Sequence, residues 1–423
     1  MPTLPPPRSP RRPALAAALL AAAAIAAVTL THGDPRALED TGLTCLVCGS
    51  RGGVDVTLNL LLFLPLGAAL AAAGWGGRAV IMAGAALSLG VETAQLTVLV
   101  GRDPSLSDLL ANTAGTALGW MLVRHARGWA LPAPAAAGRL AAAALAGWTL
   151  VLALTAAGVQ PDVARPVYAV NRIPAGSASV RPFEGTVREA WLDGRAVPPT
   201  SAGGFVADSS APALRADSVT VAAVVEPAYP PGMLRPVVVV HDGRRTELLV
   251  FGQRNRSLLV RVRTQSAAAR FQSPTLELPG VFPDSAGGAP VRIAARGDRR
   301  GLVLHASTGD AVRTARLPRS PLVGWTFVSA SFFPYGRWGD ALTLLWTALL
   351  ALPGGYWGAR AGRPRGSVRA AALAAGYAAP LLVLPGVLAV AYPPAHGWVG
   401  LAAGLLAGWV LGGWTVRSVR RAS

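Results

Sequence analysis

Two stretches of the chain place carboxylates and amides inside long apolar runs. Ser88, Glu92 and Gln95 are spaced i, i+4, i+7, and Asp108 and Asn112 are spaced i, i+4, so each set shares one face of a helix. Insertion scales put a carboxylate at the centre of a membrane helix at roughly 2.5 to 3.5 kcal/mol, so such residues usually pair, face the bundle interior and mark function. These residues suit binding of a polar ligand or general acid–base chemistry.

Two further polar residues complete the set. Asn59 lies on the preceding apolar run, and Arg102 lies in the connection "VGRDPSLSD", from which it can reach either stripe. A pair between Arg102 and Glu92 would offset much of the cost of burial, with Gln95 and Asn112 adding hydrogen bonds. We name these residues the polar cluster: Asn59, Ser88, Glu92, Gln95, Arg102, Asp108 and Asn112. The alternative is that the cluster only holds three helices together.

Small residues accompany the polar cluster. Gly115 and Gly119 continue the stripe that begins at Asp108, and they predict close backbone approach by a neighbouring helix. Pro65 and Gly67, on the run that carries Asn59, are assigned to the same helix packing.

The elements that carry these residues are predicted membrane helices. The chain has 423 residues, 52% of them hydrophobic and 14% charged, and its apolar residues are gathered into long runs. A span needs roughly 20 mostly apolar residues. Eight runs of about that length predict eight spans, at residues 14–30, 56–74, 79–100, 106–123, 140–159, 341–359, 370–392 and 398–416.

Arginine placement predicts the orientation, because short cytoplasmic segments collect positive charge. With the N-terminus inside, the inner segments hold fourteen arginines and no acid, in residues 1–13, 75–78, 124–139, 360–369 and 417–423. The protein is therefore expected in the plasma (inner) membrane, with both termini in the cytoplasm. Residues 160–337 are expected outside. A cleaved signal peptide is the alternative for the first span, whose full spanning length favours an uncleaved helix.

The outer segment has a β-strand pattern. Valine-rich stretches such as "SVTVAAVVEP", "RPVVVVHDG", "RTELLVFGQR", "SLLVRVRT", "PVRIAARG" and "GLVLHAST" alternate with turns at intervals of roughly ten residues, which predicts an antiparallel β-sandwich. Their order resembles the concanavalin A-like and laminin-G-like jelly rolls, domains that often bind carbohydrate or protein, while some are purely structural. This segment holds 22 Arg against 13 acidic residues, so anionic envelope polymers or lipid head groups would suit it. Arginine-rich codon usage explains the same surplus.

The polar cluster also carries a family resemblance. "DVTLNLLLFLPLG", "SLGVETAQL" and "GRDPSLSDLLANTAGTALG" resemble the VanZ-like family, in which the same residues follow in the same order over roughly residues 14–123. The resemblance implies a multi-pass envelope protein in the context of resistance to the glycopeptide antibiotic teicoplanin. The loop "CLVC", with Cys45 and Cys48, also looks like that of many members. Three alternatives remain open for these cysteines: a local disulfide, two incidental thiols, or a mixed metal site with His32 and nearby acids.

The predicted fold is an α-helical membrane bundle with an extracytoplasmic, jelly-roll-like β-sandwich: a VanZ-like membrane domain at 1–159, a β-domain at 160–337 and three helices at 338–423. "LLALPGG" around Pro353 echoes "LLFLPLG" around Pro65, but no second stripe of Glu, Gln and Asp follows. The sequence therefore does not predict a repeat, and the last three spans are expected only to anchor the β-domain.

The sequence favours a non-enzymatic envelope protein. Its expected partners are membrane lipid and a lipid-linked cell-wall precursor, a glycan or an anionic envelope polymer. The alternative is a membrane enzyme that acts on a lipid-linked substrate through Glu92, Arg102 and Asp108, although no nucleophile elbow, phosphatase signature or metal-ligand cluster is visible. A transporter is disfavoured because the polar residues do not continue to the cytoplasmic side. We expect no metal, no cofactor and no nucleic-acid partner, since no zinc-finger spacing or RNP-like motif occurs.

Overall fold

The computed structural model describes residues 11–30, 47, 49–99, 105–163, 167–170, 183–197, 218–227, 232–242, 246–283, 289–329, 334–362 and 366–422. The chain divides into two compact units, Met1–Leu131 and Pro132–Ser423. Arg102, Cys45 and Cys48, three of the predicted site residues, lie outside the described residues.

The first unit is a helical bundle. Its helices are α1 (Arg11–Thr29), α2 (Gly52–Ala72), α3 (Gly77–Thr97), α4 (Leu106–Arg124) and the short α5 (Ala126–Ala130). Helix α2 packs against α1, α3 and α4, and its Phe63 and Leu66 lie in a core with Ile25 and Val80. Gly74, with φ +88°, reverses the chain after α2, and Ser105 caps α4 by accepting a hydrogen bond from the backbone N–H of Asp108 at 3.1 Å.

The second unit holds the remaining helices: α6 (Pro134–Gly158), α7 (Trp325–Val328), α8 (Gly339–Arg360), α9 (Gly366–Leu388) and α10 (Ala395–Ala422). We expected the fifth span within a first domain ending at residue 159, but α6 packs against α8 and α9. Trp148 fixes this contact, because its Nε1 donates to the carbonyl of Tyr377 at 3.0 Å and the two rings lie 5.3 Å apart. The α6 segment is predominantly apolar around the whole helix, so its pattern does not indicate which helices it contacts.

Among the residues that the structure describes, six helices are long and apolar enough to cross a membrane: α1, α2, α3, α6, α9 and α10. They make the chain a multi-pass membrane protein. The other two predicted spans, α4 and α8, form helices of 19 and 22 residues at the expected positions but do not reach the same mean hydropathy. Each begins with a carboxylate in its first turn, Asp108 in α4 and Asp340 in α8.

The predicted β-domain is present as two antiparallel sheets. One has the strand order β1-β5-β6-β7-β8 and the other β11-β10-β9-β4-β2-β3. The strands are β1 (Val167–Val170), β2 (Thr186–Leu192), β3 (Arg195–Ala196), β4 (Ser218–Glu226), β5 (Arg235–Asp242), β6 (Glu247–Arg254), β7 (Ser257–Val262), β8 (Thr275–Leu278), β9 (Val291–Asp298), β10 (Gly301–Thr308) and β11 (Ala311–Pro318), with a 3-10 helix at Gln265–Ala269.

The core of the β-domain continues into the helices of the second unit. Side chains from both sheets, such as Val221 and Phe251, lie in one apolar cluster with Val159 at the end of α6 and Val390 after α9. Backbone hydrogen bonds cross the same boundary, since the N–H of Ala391 donates to the carbonyl of Arg319 at 3.0 Å. The β-domain and the C-terminal helices therefore form one packed unit, although the sequence suggested two domains that meet near residue 337.

Candidate functional site

The described members of the polar cluster meet at one end of the first unit. Helix α2 begins at Gly52, α3 ends at Thr97 and α4 begins at Leu106, so these three ends share one side of the bundle. At about 1.5 Å per residue, Glu92 lies roughly 8 Å from the end of α3, and Asn59 and Asn112 lie roughly 10 Å from the starts of their helices. The cluster thus occupies one half of the bundle. The positive end of the α4 dipole lies in this half, which favours the carboxylate of Asp108 in the first turn of that helix.

A hydrogen bond joins α2 to α4. The side-chain Nδ2 of Asn59 donates to Oδ1 of Asp108 at 2.7 Å. Asp108 is also the residue whose backbone N–H is capped by Ser105, so its carboxylate is held in the first turn of α4.

A second hydrogen bond joins α3 to α4 at the centre of the cluster. Nδ2 of Asn112 donates to Oγ of Ser88 at 3.0 Å, and the two residues are 2% and 0% exposed. The other amide atom, Oδ1 of Asn112, is buried and has no hydrogen-bond partner in the described part of the chain. Turning the amide over would leave the nitrogen unpaired instead, so one strong polar group stays unsatisfied in either orientation.

Glu92 and Gln95 bind backbone groups. The carboxylate of Glu92, only 8% exposed, accepts a hydrogen bond from the backbone N–H of Ser105 at 2.9 Å. Nε2 of Gln95 donates to the carbonyl of Thr29, the last residue of α1, at 3.2 Å. The expected pair between Glu92 and Arg102 remains a prediction, because Arg102 is not among the described residues.

Three of the four residues assigned to helix packing, the glycines, lie at the contact between α2 and α4, and Pro65 lies inside α2. A β-carbon on Gly115 would overlap the carbonyl oxygen of Leu60, one on Gly119 that of Leu64, and one on Gly67 that of Thr116. No side chain larger than hydrogen fits at these three positions while the backbones stay in place. The backbone contact thereby aligns Asn59 with Asp108.

Sequence reasoning missed two residues of the site. Ser105 contacts residues of the cluster on two helices: its backbone N–H donates to the carboxylate of Glu92, and its side-chain hydroxyl accepts from the backbone N–H of Asp108. The pattern "SLSD" at the start of a helix could have indicated this capping role. Thr116, 0% exposed, packs against Gly84 of α3, and a threonine in an apolar run gave no such signal.

The arrangement offers hydrogen-bond acceptors above all: two carboxylates and the unpaired amide oxygen. In the described residues, no group of three His, Cys, Asp or Glu side chains is placed to hold a metal ion.

These features define a multi-pass membrane protein whose first unit is a helical bundle with an internal polar site at one end. The model of the VanZ/LLP1 family matches residues 20–127, from within α1 to α5. This match confirms the resemblance for the first unit, and the matched segment contains every residue of the polar cluster. No curated protein and no solved structure matches the chain.

Proposed function

We propose that the polar cluster is the binding site for a polar or lipid-linked molecule of the cell envelope. The observation that carries this proposal is the unpaired Oδ1 of Asn112, a residue that is 2% exposed and lies one helical turn after Asp108 in α4. A buried acceptor without a partner costs about 1 to 3 kcal/mol, and a donor group on a ligand would remove that cost. A ligand with hydroxyl, amide or ammonium donors fits this set of acceptors.

The β-domain is proposed to lie outside the cytoplasm, where a jelly-roll-like sandwich would contact a glycan or an anionic polymer. Support comes from the arginine distribution around the spans, which predicts cytoplasmic termini. In this arrangement the polar cluster opens toward the envelope and away from the cytoplasm. The VanZ-like first unit suggests glycopeptide sensitivity as the cellular readout of binding.

The test is an abundance-controlled comparison of wild type with Glu92→Gln and Asn112→Ala, in a strain that lacks the native protein. Sensitivity to teicoplanin and to other envelope-directed antibiotics is scored beside membrane abundance and thermal stability. Thr93→Val is the matched control, because Thr93 is exposed on the same helix and its hydroxyl bonds only the carbonyl of Leu89.

We expect the two site variants to lose protection against these antibiotics at normal abundance, and the control to keep it. Unaltered sensitivity of well-expressed site variants would contradict it. The enzymatic alternative is tested by incubating the purified protein with a labelled undecaprenyl-linked substrate. Turnover that Glu92→Gln abolishes would show that the site is catalytic and does not only bind.

A further inference from the structure

Helices α8 and α10 repeat the backbone contact between α2 and α4. We name α2 and α4 the first helix pair and α8 and α10 the second helix pair. Gly404 and Gly408 of α10 abut the carbonyl oxygens of Ala348 and Leu352, as Gly115 and Gly119 of α4 abut those of Leu60 and Leu64. A β-carbon on Gly119 would lie 2.8 Å from the backbone nitrogen of Ala68, and one on Gly408 would lie 2.7 Å from that of Tyr356.

The numbering shows a constant register. Between α2 and α8 the offset is 288 residues, which relates Leu60, Leu64 and Ala68 to Ala348, Leu352 and Tyr356. Between α4 and α10 the offset is 289 residues, which relates Gly115 and Gly119 to Gly404 and Gly408. The two contacts are therefore the same along both helices of each pair.

Three other features keep this register. The proline inside the helix, Pro65 in α2 and Pro353 in α8, has the same offset of 288. The reverse contact does too, because Gly67 abuts the carbonyl of Thr116 and Gly355 abuts that of Leu405. Helix α4 begins at Leu106 and α10 at Ala395, again 289 residues apart. Glycine contacts between membrane helices are common, but they do not by themselves fix proline positions or helix starts.

The polar residues do not follow the register. The positions that correspond to Asn59, Asp108 and Asn112 hold Thr347, Gly397 and Leu401. Leu401 is buried in an apolar cluster with Leu322, which precedes α7. A β-carbon on Gly397 would overlap Cδ1 of the same Leu322. The side chain of Leu322 therefore lies where the Asp108 side chain begins in the first pair.

The segment that contains Leu322 makes a second contact with α8, one helical turn before Thr347. Nε1 of Trp325 in α7 donates to Oγ1 of Thr343 in α8 at 3.0 Å, and Trp325 stacks on Tyr335 with the rings 6.0 Å apart. Tyr335 in turn pairs with β8, since its N–H donates to the carbonyl of Thr275 at 2.7 Å. The end of the β-domain thus contacts the second helix pair close to the positions that correspond to the polar residues of the first pair.

We propose that α8 and α10 are a second copy of the α2 and α4 pair, in which the polar site has become the seat of the β-domain. The occupant of the seat is the chain's own segment Leu322–Trp325. The chain then carries one polar site, in the first pair, and one apolar docking surface at the corresponding position of the second pair.

The test rebuilds the polar contact in the second pair. If the pairs correspond, Thr347→Asn combined with Gly397→Asp places a donor and an acceptor as Asn59 and Asp108 are placed at 2.7 Å. The substitutions are made singly and together in full-length protein that also carries Leu322→Ala, which makes room beside position 397. Thermal unfolding of the purified proteins is compared as a double-mutant cycle.

The expected result is that the combined variant unfolds about 2 to 4 °C above the temperature that the single variants predict by addition. Leu345→Asn is the matched control, because Leu345 is on the same helix but 51% exposed, and its combination with Gly397→Asp should be additive. Additive behaviour of Thr347→Asn, equal to that of the control, would overturn the proposal.

Cross-linking keeps the proposal testable if those variants do not fold. Cysteines are introduced in place of Asn59 and Asp108, or in place of Thr347 and Gly397 together with Leu322→Ala, in a chain whose native cysteines are serine. Both pairs of cysteines should form a disulfide under mild oxidation. Cross-linking in the first pair but not in the second would contradict the correspondence.

Discussion

The two helix pairs share a backbone contact and differ in what lies beside it. Both pack through glycines against carbonyl oxygens in the same register, but only the first pair carries Asn59, Asp108 and Asn112 there. The second pair forms the same contact with threonine, glycine and leucine at these positions. Polar residues are therefore not needed to hold such a pair together. This argues against the interpretation of the polar cluster as a structural link between helices and favours its role in binding.

The largest effect is expected where the two pairs are alike. Gly119→Leu and Gly408→Leu each place a side chain onto a carbonyl oxygen of the partner helix, so each should destabilise its unit by about 3 kcal/mol or more. The measurement is the amount of folded, monodisperse protein and its thermal midpoint after extraction. Gly90→Leu serves as control, since a β-carbon there meets nothing within 4 Å. If Gly408→Leu were tolerated while Gly119→Leu destabilised the protein, the two helix pairs would not share the same backbone contact.

An intermediate effect is expected from exchanging the residues at the position where the pairs differ. Leu401→Asn buries an amide among apolar side chains and should cost about 2 to 3 kcal/mol of unfolding free energy. Asn112→Leu removes an amide that has one unpaired atom, so its effect on stability should be smaller while protection against glycopeptides is lost.

Thermal unfolding and antibiotic sensitivity, measured on the same two variants, separate these outcomes. Leu405→Met, a change of similar size in the apolar cluster of the second pair, controls for altered packing there. A large loss of stability for Asn112→Leu would restore the structural interpretation of the cluster.

Much of this comparison was within reach of the sequence, and some was not. The stripe from Asp108 to Gly119 predicted both the polar site and the close contact, because a helix brings residues four apart onto one face. The six valine-rich stretches all became strands, namely β4 to β7, β9 and β10. Strands β1, β2, β3, β8 and β11 were missed because they have few valines or are short, and neighbouring strands supply their hydrogen bonds.

The second pair was missed for a different reason. Its apolar positions carry no type-specific signal, and "LLALPGG" by itself could not show that Ala348 and Leu352 face glycines of α10. The two pairs correspond through contacts of backbone atoms, and since every residue type has these atoms, the sequence does not reveal such contacts. The position of α6 was unpredictable in the same way, because Trp148 selects Tyr377 through a carbonyl oxygen and a ring face.

The smallest effect expected is a pH dependence confined to the domain that the second pair carries. Burial lowers the pKa of His241 in β5 from its usual value, against the opposing charges of Glu247 and Asp242. The folded state therefore binds a proton less readily than the unfolded chain. Stability is fully present above the unfolded value near 6.5, and it declines as the pH falls below that value because the unfolded state gains a proton.

Hydrogen exchange at pH 7.5 and pH 5.5, corrected for the intrinsic rate, should show β5 losing protection at the lower pH while α8 and α10 keep theirs. His241→Leu removes the titrating group and should make the protection of β5 insensitive to this change, whereas the exposed His305→Leu should leave it as in the wild type. Equal loss of protection in β5 and in the second helix pair would mean that the domain and its seat unfold together. The apolar seat would then be as much a part of the β-domain core as the sheets are.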